Sequence, residues 1–174
     1  MKKIWYAPNK LEAYGEKEIK AVEQCLRDGW LAGFGPRSIE FEEKIAKEFG
    51  KKYGVFVNSG SSACLLALAS LNLPKGCKII TPALTFSTTL APIIQLGFIP
   101  VFIDSNLTSY VPTVKAILDA ITKDTKAIMV PNLIGNKPDF VALKAGLKIL
   151  NRTDIIIIED SADTLRHVSS VFHH

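Results

Sequence analysis

The spacing of apolar and polar residues changes character once along the chain. From Glu16 to Asp28 the apolar residues Ile19, Val22 and Leu26 recur at helical spacing among Lys and Glu, and Gly29 ends the run. This spacing predicts an amphipathic helix. A Gly/Trp-rich loop follows, Gly29-Trp30-Leu31-Ala32-Gly33-Phe34-Gly35-Pro36. A second helix is expected to begin near Ser38, with Phe41, Ile45 and Phe49 on one face and Glu42 and Glu43 in the first turn, where the helix dipole favours acids. Beyond Gly50 the pattern shortens to five β-branched runs: Gly54–Asn58, Lys78–Thr81, Ile99–Asp104, Lys126–Val130 and Asp154–Ile158. Segments of helical length separate them, namely Ser62–Leu71, Ser87–Leu96, Val114–Ile121 and Phe140–Leu150. Strict alternation, with strands apolar on both faces, predicts a parallel sheet covered on both sides by helices, because parallel strands need a crossover connection. The fold class is α/β. Ligands of such sheets bind beyond the carboxyl ends of the strands, so the loops after each strand are where chemistry is sought.

Composition narrows the functional classes. The 174 residues are 48% hydrophobic and 22% charged, which suits one globular domain and excludes a disordered or disulfide-scaffold protein. The net charge of +4 is modest, and lysines alternate with glutamates in the first fifty residues, so nucleic acid is not an expected partner. Cys25, Cys64 and Cys77 form an odd set without a C-x-x-C, each within an apolar segment, which points to buried free thiols in a reducing compartment. Met1-Lys2-Lys3 leads into no sustained apolar stretch, so no signal peptide is expected and a cytoplasmic location is. The stretch from Lys78 to Asp104 carries no charge and is long enough to cross a bilayer. Pro82, Pro92 and Pro100, with a natural break at Gly97, favour strand, loop, helix and strand instead, each proline lying at a boundary or in a first turn, and no membrane span is expected. His173 and His174 read as a terminal tail, and no metal site is expected.

Three strand ends carry candidate chemistry. After the first run comes Asn58-Ser59-Gly60-Ser61-Ser62-Ala63, opening directly into an apolar helix. A glycine turn at a helix N-terminus offers free N–H groups, hydroxyls and a positive dipole end, which suits a phosphate; a serine-capped helix after a tight turn would look the same. After the last run comes Glu159-Asp160-Ser161-Ala162-Asp163-Thr164. A carboxylate at the tip of a four-isoleucine strand needs a cation or strong donor, such as a protonated ring nitrogen, or it caps the next element. Phe86, after the second run, is either core or a face on which a flat ligand stacks. All three stand on one edge of the sheet. Together they outline a site for pyridoxal phosphate. The only G-x-G, at Gly33 and Gly35, follows a helix and is no dinucleotide fingerprint.

In this order along the chain, Gly29-Trp30-Leu31 with Gly35-Pro36, Phe41-Glu42, Val57 through Ala63, Thr81-Pro82 with Thr85-Phe86, Pro100 through Asp104, and Ile158-Glu159-Asp160 resemble the DegT/DnrJ/StrS family from about Leu11 to Leu165. These are type I pyridoxal-phosphate enzymes acting on nucleotide-linked keto-sugars, mostly aminotransferases. The resemblance implies a three-layer large domain, with residues 1–53 as a helical arm, 54–165 as a partial cofactor-binding domain and 166–174 as a frayed tail. It implies that Gly60, Ser61 and Ser62 hold the cofactor phosphate, that Phe86 stacks on the ring, and that Asp160 pairs with the ring nitrogen, making the ring an electron sink. Asp163 stands where most family aminotransferases have Gln near the ring hydroxyl. That acid, the run Asn58–Ala63 and Gly135-Asn136 look more like the branch containing CDP-ketodeoxyglucose dehydratase, in which His replaces the catalytic lysine.

Family members are more than twice as long. Their Schiff-base lysine lies beyond the aspartate, and the eleven residues after Asp163 contain none, so no catalytic residue is assigned and the chain alone is expected to be inactive. Lys137 precedes Asp160 and His167 follows it too closely to match the motif. The family's strand order puts two later strands between the first and the fourth, a gap of roughly 14 Å at strand spacing. Either the first run re-pairs beside the fourth or open edges invite association. The leading expectation is an N-terminal portion of a nucleotide-sugar aminotransferase, with keto-sugar and amino-acid donor as ligands and a homodimer as the family assembly. A dehydratase of the same family is the alternative. A non-catalytic remnant and, more weakly, a serine hydrolase on Ser61 or Ser62 complete the set; the latter lacks G-x-S-x-G.

Overall fold

In the computed structural model, which describes residues 14–29, 34–162 and 164, four of the five expected strands form: β1 (Lys78–Pro82), β2 (Ile99–Ile103), β3 (Thr125–Pro131) and β4 (Ile156–Asp160). All pair in parallel, in the order β2-β1-β3-β4. Six α-helices are described: α1 (Glu16–Asp28), α2 (Pro36–Glu48), α3 (Gly60–Ala69), α4 (Ser87–Gln95), α5 (Val114–Asp119) and α6 (Phe140–Ile149). Their starts follow local chemistry. Thr113 and Asp139 accept the N–H groups of Ala116 and Ala142 at 3.2 and 2.9 Å, capping α5 and α6. At α1 the Glu18 carboxylate accepts the Gly15 N–H at 2.7 Å, which holds that carboxyl below its ordinary range.

The two-residue period of a strand sorts the core into two layers. Ile80, Ile128 and Val130 face one cluster with Ile117 of α5 and Leu143 and Leu147 of α6. Their neighbours Ile79, Ala127 and Met129 face the other, with Cys64 and Leu68 of α3 and Ile93 of α4. The sheet is thus sandwiched between α5/α6 and α3/α4, the three-layer α/β arrangement expected. Cys64 and Cys77 are buried free thiols, while Cys25 is only half-buried because α1 buries no residue. No helix among the described residues is long and apolar enough to cross a membrane. Pro82 ends β1 and Pro100 lies on the edge strand β2, where a missing N–H costs no ladder bond on the open side. Pro92 departs from expectation: it sits inside α4 and is buried, its apolar ring filling the α3/α4 layer at the expense of one helical hydrogen bond.

The run Gly54–Asn58 is the larger correction. It is not a strand of the sheet. β3 is flanked by β1 and β4, so re-pairing beside the fourth run, one of the two alternatives, has no vacant edge to use, and the edge on that side is β4. The run is held to α2 instead: the Phe56 N–H donates to Glu42 Oε1 at 2.6 Å, and the Phe41 and Phe56 rings meet edge-on with centroids 5.2 Å apart. A cavity of about 520 Å³ lies between β4 and this region, lined among others by Ile45, Phe49, Tyr53, Gly54, Ile156 and Ile158. β-branched composition favours a pleated strand only where a neighbour completes the ladder.

Gly54 touches α2 so closely that a Cβ there would lie 2.4 Å from the backbone oxygen of Glu42. Backbone on that side cannot rotate away as a side chain would. Gly54→Ala is expected to lower stability by about 1–3 kcal/mol, read as a fall in the urea midpoint.

Candidate active site

Strand β4 ends in two successive carboxylates that the pleat sends to opposite faces. Glu159 meets a cation: Lys137 Nζ lies 3.2 Å from Oε1, with the two side chains only 17% and 14% exposed. The same oxygen accepts the Asn132 amide at 2.5 Å and the Ser161 hydroxyl at 3.1 Å. Asp160 meets no cation among the described residues. Its Oδ2 accepts the Thr89 hydroxyl at 2.8 Å and the Cys64 thiol at 3.5 Å, and its Oδ1 accepts the Ala162 N–H at 3.2 Å. An ionised carboxylate offers about four acceptor positions, so three donors leave about one vacant.

The loop after Asn58 builds the second wall. Ser59 caps α3 by accepting the Ser62 N–H at 3.2 Å, and the Ser62 hydroxyl donates to Asn58 Oδ1 at 2.7 Å. Ser62 is thereby committed to the cap. Gly60 and Ser61 sit at the helix start, where N–H groups have no intrahelical acceptor. A Cβ on Gly60 would meet nothing within 4 Å, so the space before the turn is open. Phe86 precedes α4 and is 70% exposed, which removes the reading of it as a core aromatic.

These walls enclose a cleft of about 480 Å³, lined by Gly60, Ser61, Phe86 and Asp160 together with Thr89 and Asn132. None of its described lining residues is Lys, Arg or His. Four of the six expected site residues therefore meet in one place; Ser62 lies one step further into α3, and Asp163 lies outside the described residues, as do His167, His173 and His174. Of the four buried side-chain oxygens without a hydrogen-bond partner among the described residues, two belong to residues that line the cleft, Thr85 Oγ1 and Asn132 Oδ1. Beyond β3, Ile134 adopts φ 54°, ψ 31°, a left-handed conformation costing a side-chain-bearing residue about 1–2 kcal/mol. Sequence reading missed Thr89, Cys64 and Asn132. A faint signal existed for Thr89, which follows Phe86 by three residues and so lies one helical turn inside α4.

Burial, then the Asp160 charge, then the hydrogen bond to it push the Cys64 thiol up to about 12. An acid raised on folding stabilises the native state below its unfolded value and loses that contribution as pH climbs through the folded one. Stability is therefore expected to decline between about pH 9 and 12, and Cys64→Ser to flatten that decline in urea midpoints measured across the window.

Comparison with known proteins bears on the fold and the family. GDP-4-keto-6-deoxy-D-mannose 3-dehydratase of Escherichia coli O55:H7 is 35% identical over 158 residues, covering 87% of this chain and 40% of that protein. The dTDP-4-dehydro-2,6-dideoxy-D-glucose 3-dehydratase of Saccharopolyspora spinosa is 37% identical, covering 86% of this chain and 33% of its own length. The chain thus spans about two fifths or less of these curated relatives. Among solved structures, the E. coli GDP-4-keto-6-deoxy-D-mannose-3-dehydratase with bound hydrated PLP superposes with a TM-score of 0.81 at 34% identity, over 88% of this chain and 40% of that one. A Streptococcus pneumoniae chain described as a sugar aminotransferase, in its PLP form, gives 0.79 at 27% identity over 87% and 42%. The DegT/DnrJ/EryC1/StrS aminotransferase family model matches residues 12–168, and the chain belongs to that family.

Proposed function

We propose that this chain supplies the phosphate-binding, ring-stacking and ring-nitrogen-binding half of a pyridoxal-phosphate site in a dehydratase acting on a nucleotide-linked 4-keto-6-deoxysugar. The observation that carries the reading is the convergence of Gly60, Ser61, Phe86 and Asp160 on one cleft. The residues present suit the cofactor. Asp160 has one acceptor position left for a ring N–H, Phe86 presents an exposed aromatic face, and the start of α3 opens onto empty space.

The N–H groups of Gly60 and Ser61 and the dipole of α3 bind the phosphate. Ser62, whose hydroxyl donates to Asn58, holds the turn that presents those N–H groups. Phe86 stacks on the ring and keeps water from its face. Asp160 holds the proton on the ring nitrogen. When bound, the cofactor supplies an electron sink for the substrate carbon beside it. Among the described residues that line the cleft, those assigned here bind and orient the cofactor.

Dehydration is preferred over transamination because the dehydratases are 35–37% identical to the chain, against 25–28% for the aminotransferase structures. Asp163, in place of Gln, favours the same branch. Transamination is the second reading, favoured by the fold match to the S. pneumoniae protein. A cytoplasmic location and a homodimeric assembly belong to both.

Titration with pyridoxal phosphate, followed by absorbance, tests the site. Asp160→Asn is expected to weaken binding by about tenfold or more, since one charge-assisted hydrogen bond is lost. An unchanged affinity would remove Asp160 from the site. On the longest polypeptide that carries this chain, NMR of a GDP-linked 4-keto-6-deoxysugar incubated with cofactor and glutamate separates loss of the 3-hydroxyl from amination at C4.

A further inference from the structure

We infer that Cys64 and Thr89 are positioning residues that clamp Oδ2 of Asp160 from two helices, so that the vacant acceptor position at Oδ1 meets the ring N–H of the cofactor. The inference rests on the pyridoxal-phosphate reading above and assigns roles to two residues outside the expected site.

The clamp follows from how α3 and α4 are used. α3 puts Gly60 at the cleft and Cys64 four residues later, one turn inward, against Asp160. α4 is preceded by Phe86 at the cleft and carries Thr89 one turn inward, against the same oxygen. Each helix thus has its start at the cleft and a donor one turn further on against the carboxylate. Cys64 is 7% and Thr89 0% exposed, and Cys64 belongs to the packed cluster on that face of the sheet, so neither donor is free to swing away. Asp160 needs such restraint. It ends the edge strand β4, which has a ladder partner on one side only, and no cation fixes its direction among the described residues. Two donors on Oδ2 fill that oxygen's lone-pair positions, while Oδ1 has a single backbone donor. The clamp therefore selects for a ligand that brings a hydrogen-bond donor, and against a ring with no N–H at that place.

The experiment compares binding of pyridoxal phosphate with binding of an analogue whose ring nitrogen is replaced by CH, by equilibrium dialysis against the chain. Thr89→Val keeps the shape and removes the donor. It is expected to reduce the preference for pyridoxal phosphate over the analogue by about tenfold, leaving affinity for the analogue unchanged, and Thr89→Ser restores the preference. Cys64→Ala is expected to reduce it in the same sense and Cys64→Ser to retain it. Equal weakening of both ligands by Thr89→Val, or failure of Thr89→Ser to restore the preference, reduces the pair to a structural role and overturns the inference. If neither ligand binds the unsubstituted chain, the cofactor reading itself fails and the ligand-directed half of the inference falls with it. The contact is then judged alone: Asp160→Asn should speed alkylation of Cys64 by iodoacetamide at alkaline pH, read by peptide mass spectrometry, and an unchanged rate eliminates the clamp.

Discussion

A carboxylate at the end of an apolar strand organises this protein. β4 carries three isoleucines into the sheet and finishes on Glu159 and Asp160, two groups that cannot leave water without partners. The pleat separates them, and each draws a different environment around itself. Glu159 gathers Lys137, Asn132 and Ser161, which ties the loop after β3 to the tip of β4. Asp160 gathers a hydroxyl, a thiol and a backbone N–H, which ties α3 and α4 to the same tip. Solvation of the two acids thus decides where the helix starts on both sides of the cleft must stand.

Most of the scaffold was legible because its signals are local and repeated. Apolar runs with helices between them dictate parallel strands, and β1 to β4 lie where those runs lie. α1 occupies Glu16–Asp28 as its spacing implies, and α2 begins two residues before Ser38 because Pro36 takes the first helical position. Gly54–Asn58 was misread for a physical reason. Its composition is that of a strand, yet strand formation is a property of two neighbours, and one of them is not in the described sheet. Pro92 was misjudged in the opposite direction, since burial of its ring in the α3/α4 layer outweighs the helical hydrogen bond it forgoes.

The candidate site divides in the same way. Gly60, Ser61, Phe86 and Asp160 could be picked out because each follows an apolar run, although only Phe86 and Asp160 stand by the end of a strand of the sheet. Cys64 and Thr89 were far harder to find, because their contacts with β4 span 96 and 71 residues of chain, while Asn132 was overlooked although it directly follows β3. Residues that face a ligand are marked by strand position. Those that aim them are marked only by packing.

The hollow beside β4 has a consequence for how the chain behaves among other molecules. Half of the amide and carbonyl groups of Ile156–Asp160 point away from β3, with Ile156 39% exposed next to them and no lysine or proline within the strand itself to blunt the edge. Such a margin accepts any extended peptide that reaches it, without regard to the identity of its side chains. Self-association should therefore grow with concentration and be relieved by whatever polypeptide fills the hollow first, which makes the order of encounter, and not only the affinity, decisive for whether this domain stays dispersed.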